Sequence, residues 1–184
     1  GARRDSIVVR GEKVVVTRIA DEAVKFGNAV QIVDSQQISA SGASNFAELA
    51  QFLIKGANVG YSPDEGEYTI RLDGGGDRDT LVVLDGVPLY DRGPALEEIW
   101  GTTTIDPHMI EHVEVFRGGN SLFFGSNGGI GVVNIVTKRP DGTSRVELGA
   151  SYGSFNSREL WGNARGTFDK DGTLSFMVYG SNQN

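Results

Sequence analysis

The chain has 184 residues, a formal net charge of -7 and no cysteine. That length admits one domain with a real core, or a domain plus part of another. The acidic balance argues against a nucleic-acid partner, because no basic stripe is available to neutralise phosphates, and the absence of thiols excludes a disulfide framework and a thiolate metal site. Glycine is abundant, 26 residues, roughly twice the usual ~7%. With only five prolines between β-branched runs, this predicts a sheet-rich chain with many tight turns. No apolar run approaches the ~20 residues of a transmembrane helix. The opening Gly1-Ala2-Arg3-Arg4-Asp5 lacks the apolar segment of a signal peptide, so an exported protein is expected here in processed form.

Residues 1–13 read as a flexible polar tail holding one apolar segment, Ile7-Val8-Val9. Val14-Val15-Val16-Thr17 and Ala29-Val30-Gln31-Ile32-Val33 are short β-branched runs of strand type. Asn45 and Glu48 have the spacing of a capping box. The helix they open is predicted to place Phe46, Leu49, Ala50, Phe52 and Leu53 on one core face and to stop at Gly56. Tyr68 to Leu72 and Leu81 to Leu84 follow as strands, separated by a glycine-rich loop at 73–79. Asp85-Gly86 is a hairpin turn signal. Val113 to Phe116 and Val132 to Thr137 complete an α+β pattern. After residue 142 the texture changes. Val146, Leu148, Ala150 and Tyr152 alternate with Arg145, Glu147, Gly149 and Ser151, and two further alternating runs follow up to residue 179. Strands of ~10 residues with one apolar face suit either a half-exposed meander or the start of a transmembrane β-barrel.

Both histidines lie in His108-Met109-Ile110-Glu111-His112, which has the H-x-x-E-H form of a zinc hydrolase. Asp106 and Pro107 begin a short helix there, but Val113-Glu114-Val115-Phe116 is strand-type and ends it at once. A catalytic zinc also needs a third protein ligand, and no third histidine or cysteine exists. Asp169-Lys170-Asp171-Gly172 resembles the start of a calcium loop but lacks the later ligands, and reads as a turn. Neither a nucleophile elbow nor a phosphate-binding loop is present.

The stretch "TLVVLDGVPLYD", followed by "IDPHMIEHVEVFRGGNSLFFGSNGGIGVVNIVTKRP", resembles the plug domain of TonB-dependent outer-membrane receptors, and the likeness extends over roughly residues 14–140. In place of the usual Arg-Gly-Pro stands Arg117-Gly118-Gly119, and the loop at 73–79 departs from the family pattern. The resemblance implies a flexible segment at 1–13, an α+β plug domain at 14–142, and the first antiparallel strands of a roughly 22-stranded transmembrane β-barrel at 143–184. At ~10 residues per strand the last segment has room for about three, so a longer receptor is expected. It further implies a protein of the Gram-negative cell outer membrane that is not an enzyme, needs no cofactor, and imports a small ligand such as an iron-siderophore complex.

Its expected partners are TonB, with ExbB and ExbD, on the periplasmic side, and outer-membrane lipid around the barrel. Asp5, Ser6, Ile7, Val8 and Val9 resemble a TonB box, with Lys13 to Thr17 as a second register; an unstructured tail or an extra plug strand is the plainer alternative for Ile7 to Val9. The loops at 60–66, 73–79 and 90–100 are expected at the outward apex, where Tyr61, Arg78, Tyr90, Arg92 and Trp100 suit a metal chelate. Arg71 and Arg117 are expected to face the barrel wall and pair with its carboxylates. The competing readings are a free-standing soluble α+β binding module and a zinc hydrolase through His108, Glu111 and His112.

Overall fold

The structure is a computed structural model that describes residues 7–9, 12–14, 16–62, 67–76, 79–89, 105–118, 130–140, 143–152, 158–168 and 174–183. It forms two compact units, Gly1–Thr137 and Lys138–Asn184.

The first unit is organised on a mixed five-stranded sheet. In chain order its strands are β3 (Ala29–Val33), β6 (Thr80–Leu84), β7 (Val87–Pro88), β8 (Ile110–Arg117) and β9 (Gly131–Thr137). Their spatial order is β3-β8-β9-β6-β7, with only β6 and β9 parallel. β8 and β9 are covered on both faces: β9 accordingly reads as a nearly continuous Val and Ile run broken by Asn134, while β8 carries His112 and Glu114 among its buried residues. The β6–β7 connection is the expected tight hairpin: Asp85 and Gly86 both take positive φ, 48° and 90°, as a type I′ turn requires. The Asp85 carboxylate also accepts from Thr137 N–H at 3.0 Å and its hydroxyl at 2.5 Å, closing the end of β9. At the other end Gly131 admits the Leu72 side chain and the Phe116 carbonyl to distances that a Cβ would forbid.

Two short two-stranded sheets flank it: β1 (Ile7–Val9) with β2 (Glu12–Val14), and β4 (Ala57–Ser62) with β5 (Glu67–Leu72). Residues 7–14 thus hold an antiparallel hairpin inside the segment expected to be a flexible tail. Of the predicted strand Val14–Thr17, only Val14 is paired among the described residues. β2 ends at Val14, and Thr17 is the N-cap of helix α1 (Arg18–Lys25), its hydroxyl accepting from Ala20 N–H. Helix α2 (Ser35–Ser41) starts at a reciprocal capping box of Asp34 and Gln37 and ends at Gly42 in the left-handed conformation. Helix α3 (Phe46–Leu53) is capped by Asn45 as predicted, while the Glu48 carboxylate reaches back to Ser44 rather than to Asn45.

Two apolar layers result. One side of the sheet packs Val33, Val82, Val113, Val115, Val133 and Ile135 against Ile38, Phe46, Leu49, Ala50, Ile54, Ile70 and Leu72. Phe52, predicted to share this core, is 61% exposed. The other side packs Ile32, Leu81, Val83, Phe116 and Val132 against Val16, Ala20 and Ala23. This second layer is thinner, because α1 presents mostly alanine.

The second unit is one antiparallel sheet of β10 (Arg145–Tyr152), β11 (Arg158–Thr167) and β12 (Ser175–Gln183), in that order. Its apolar residues point outward: Val146, Leu148, Tyr152, Leu160 and Val178 are each more than half exposed. On the opposite face Glu147 accepts from Lys138 at 2.9 Å, Asn163 at 2.8 Å and Arg165 at 3.3 Å.

Candidate functional site

Glu114 sits near the middle of β8, between β3 and β9, opposite Ile32 and Asn134. It is fully buried, in a strand whose neighbours are valines and a phenylalanine. A carboxylate in such a place needs donors for every lone pair it keeps. It has four. Oε1 accepts from Thr17 N–H at 2.7 Å and from His112 Nε2 at 3.0 Å. Oε2 accepts from the Thr17 hydroxyl at 2.7 Å and from Asn134 Nδ2 at 3.0 Å. Burial by itself raises the Glu114 pKa. The bonds from His112, then Thr17 and Asn134, outweigh it and hold the carboxyl below its ordinary value. Glu114 is therefore an ionised group inside a packed layer.

This arrangement disposes of the zinc motif. His108 lies in a 3₁₀ turn, Pro107–Met109, with its Nδ1 2.8 Å from the capping carboxylate of Asp106. His112 lies in β8, 1% exposed, with Nε2 directed at Glu114. Pro107 does begin a helical turn, as predicted, but strand pairing starts at Ile110, so the two imidazoles never share a helical face. The zinc-hydrolase reading is overturned.

Arg117 closes β8. Its guanidinium donates to the Asp73 carboxylate at 3.0 Å, to Gln31 Oε1 at 3.4 Å and to the Lys55 carbonyl. Gln31 in turn donates to the Leu53 carbonyl and accepts from Lys55 N–H. Arg117 thus ties together β3, β8 and the segments that follow α3 and β5 inside the first unit. Arg71 lies on β5 opposite Asn58, half-buried.

Tyr61, predicted in a loop, belongs to β4. It is 57% exposed and stacks on its cross-strand partner Tyr68, ring centroids 4.9 Å apart. Ile7, Val8 and Val9 form β1. Asp5, Ser6, Arg78, Tyr90, Arg92 and Trp100 lie outside the described residues, as do the turn at 169–172 and the whole loop at 90–100. Sequence reasoning missed Thr17, Glu114 and Asn134 as a set. The available signal was a lone glutamate among residues predicted to be buried on both sides of a strand, which demands partners.

A five-stranded mixed sheet with helices on both faces, joined in sequence to an antiparallel sheet that is apolar outside, is the plug-and-barrel plan. The family profile described as TonB-dependent Receptor Plug Domain matches residues 22–132, and the chain belongs to the TonB-dependent outer-membrane receptors. This places it in the outer membrane of a Gram-negative bacterium. It is 28% identical over 97% of its length to the ferric enterobactin receptor PirA of Pseudomonas aeruginosa, of which it covers 26%. It is 31% identical over 61% of its length to the ferrienterobactin receptor of Escherichia coli strain K12, of which it covers 16%. The alcaligin outer-membrane receptor FauA of Bordetella pertussis shares the fold with a TM-score of 0.69 at 22% identity, over 97% of this chain and 29% of that one. The chain thus spans about a quarter of the length of the curated ferric enterobactin receptors of Pseudomonas aeruginosa. These relatives are transport receptors, and the likeness runs through both units, which does not fit a free-standing binding module.

Proposed function

We propose that this chain supplies the gate of a receptor that imports ferric siderophores, with ferric enterobactin as the leading substrate. The observation that carries this reading is the similarity to ferric enterobactin receptors over nearly the whole chain. The plug closes the barrel pore, and strands β10 to β12 turn Val146, Leu148, Tyr152, Leu160 and Val178 toward lipid. TonB, energised with ExbB and ExbD, engages Asp5, Ser6, Ile7, Val8 and Val9 from the periplasm. Supporting this, Ile7–Val9 is already extended, and β1 is paired on one side only within its two-stranded sheet. A partner strand can add at the other side through backbone hydrogen bonds. Tyr61, Arg78, Tyr90, Arg92 and Trp100 are the proposed outward ligand contacts, and Arg71 and Arg117 the proposed contacts to the barrel wall.

The test uses ferric enterobactin on cells carrying the complete receptor. Ile7→Pro removes a donor and fixes φ near -65°, interrupting the added ladder. It is expected to abolish uptake while leaving surface binding intact, whereas Ile7→Val transports normally. Equal loss of binding and uptake in the proline variant would assign β1 to the plug fold instead. Failure of the unaltered receptor to bind ferric enterobactin would overturn the substrate and leave the gating role standing.

A further inference from the structure

We propose that Glu114 is a latch that holds helix α1, with the segment before it, onto the plug sheet as a separately releasable layer. That tension at residues 5–9 is what releases it rests on the reading above; the latch itself rests on geometry.

The two faces of the sheet are held very differently. On one, α2 and α3 insert Ile38, Phe46 and Leu49, all buried. On the other, α1 fully buries only Ala20 and Ala23, with Val16 just before it and Ile19 packed against the layer in part, while Val24 and the C-cap Phe26 are 46% and 71% exposed. Apolar area therefore contributes less to keeping α1 in place than it does for α2 and α3. What crosses that interface instead is charge-assisted hydrogen bonding. Thr17 alone supplies one donor to each Glu114 oxygen, both at 2.7 Å, and its hydroxyl simultaneously caps α1 through Ala20 N–H at 3.2 Å.

Two donors from one residue are lost together, so release is abrupt rather than graded. It is also local. His112 and Asn134 stay with Glu114 on β8 and β9 after Thr17 has gone. His112 Nδ1 and Asn134 Oδ1 are buried without a hydrogen-bond partner among the described residues. Water entering under a lifted α1 would solvate these atoms and the freed carboxylate, lowering the cost of the open state. Release uncovers a polar strip, His112, Glu114 and Asn134, on a sheet face that is otherwise apolar.

The decisive variant is Thr17→Asp, studied by amide hydrogen exchange on the full 184-residue chain. Aspartate is as good an N-cap as threonine or better, so a residue that merely caps α1 would tolerate the change or be improved by it. A latch would not, because a second carboxylate then faces Glu114. The expected result is at least roughly tenfold faster exchange at residues 21–26, the change that follows from losing a hydrogen bond to a charged group, with 113–116 and 132–135 unaffected. Adding Glu114→Gln to Thr17→Asp removes the repulsion and restores slow exchange in α1. Unchanged or slower exchange in α1 would reduce Thr17 to a cap. Equal acceleration of α1 and the sheet would mean that no separable layer exists. Neither outcome depends on TonB, whereas the Ile7→Pro uptake experiment does.

Discussion

The two units obey one rule of alternation with opposite outcomes. In the first, Val113, Val115, Val133 and Ile135 point into a core and are fully buried. In the second, Val146, Leu148 and Leu160 alternate just as regularly and are among the most exposed apolar residues described, while Asn163 and Arg165 are buried on the other face. The sheet geometry is the same, with side chains on alternate faces. What differs is the solvent each surface is built for. A strand pattern thus identifies which residues share a face, but only the environment decides which face is inside.

Three measurements can break or sharpen this contrast. The largest effect is expected for Phe46→Ala, which empties the middle of the first unit's main core. It should cost about 3–5 kcal/mol of that unit's stability in denaturant unfolding. A loss below 1 kcal/mol would mean that this layer is not packed as described. Next, Leu148→Arg places a charge on the outward face of β10. In the complete receptor it should cost about 2–4 kcal/mol of folding into lipid vesicles, yet leave the first unit's unfolding unchanged. Tolerance of arginine there would show that the face does not meet hydrocarbon.

The smallest effect is expected from acid. The Glu114 pKa lies below its ordinary 4.5 in the folded state. Its stabilisation is therefore fully present above pH 4.5 and is lost as pH falls from there through the folded value. The first unit should lose stability over that window, and Glu114→Gln should flatten the loss. An identical acid profile in the glutamine variant would assign the titration to other groups.

Much of the sheet was legible because β-branched runs bounded by turn signals leave few alternatives: Leu81 to Leu84, Val113 to Phe116 and Val132 to Thr137 are strands as read, and Asp85-Gly86 is the turn. The helices were harder. Asn45 announced α3, and Asp34 with Gln37 announced α2 equally clearly, yet Ser35-Gln36-Gln37-Ile38 has too little apolar periodicity to be noticed. Helix α1 was hidden by Val14-Val15-Val16, a strand signal that ran into it and was overridden by the Thr17 cap. β4 escaped because Asn58 and Gly60 are poor strand formers, and only its pairing with β5 makes it one. The Glu114 cluster was unreadable for a different reason. Thr17, Glu114 and Asn134 are remote in sequence, and nothing local in any of them names the others.

The topology of the five-stranded sheet has a bearing on how the molecule comes into being. β3 has one neighbour in the sheet, β8, so that Val33 pairs with Val113 and Ala29 with Arg117, while β6 must wait for β9 to form its parallel ladder. Pairings so remote in sequence impose a large loop-closure entropy and slow folding. A chain that emerges amino-terminus first can make α2, α3 and the β4–β5 hairpin locally, but its central sheet stays open until residues 131–137 have appeared. Thr17 has no carboxylate to bind until Glu114 has appeared, and α1 lacks Val132 to lie against until β9 follows. The central sheet of the first unit is thus completed last by its own connectivity, after the local helices and the β4–β5 hairpin have had time to form.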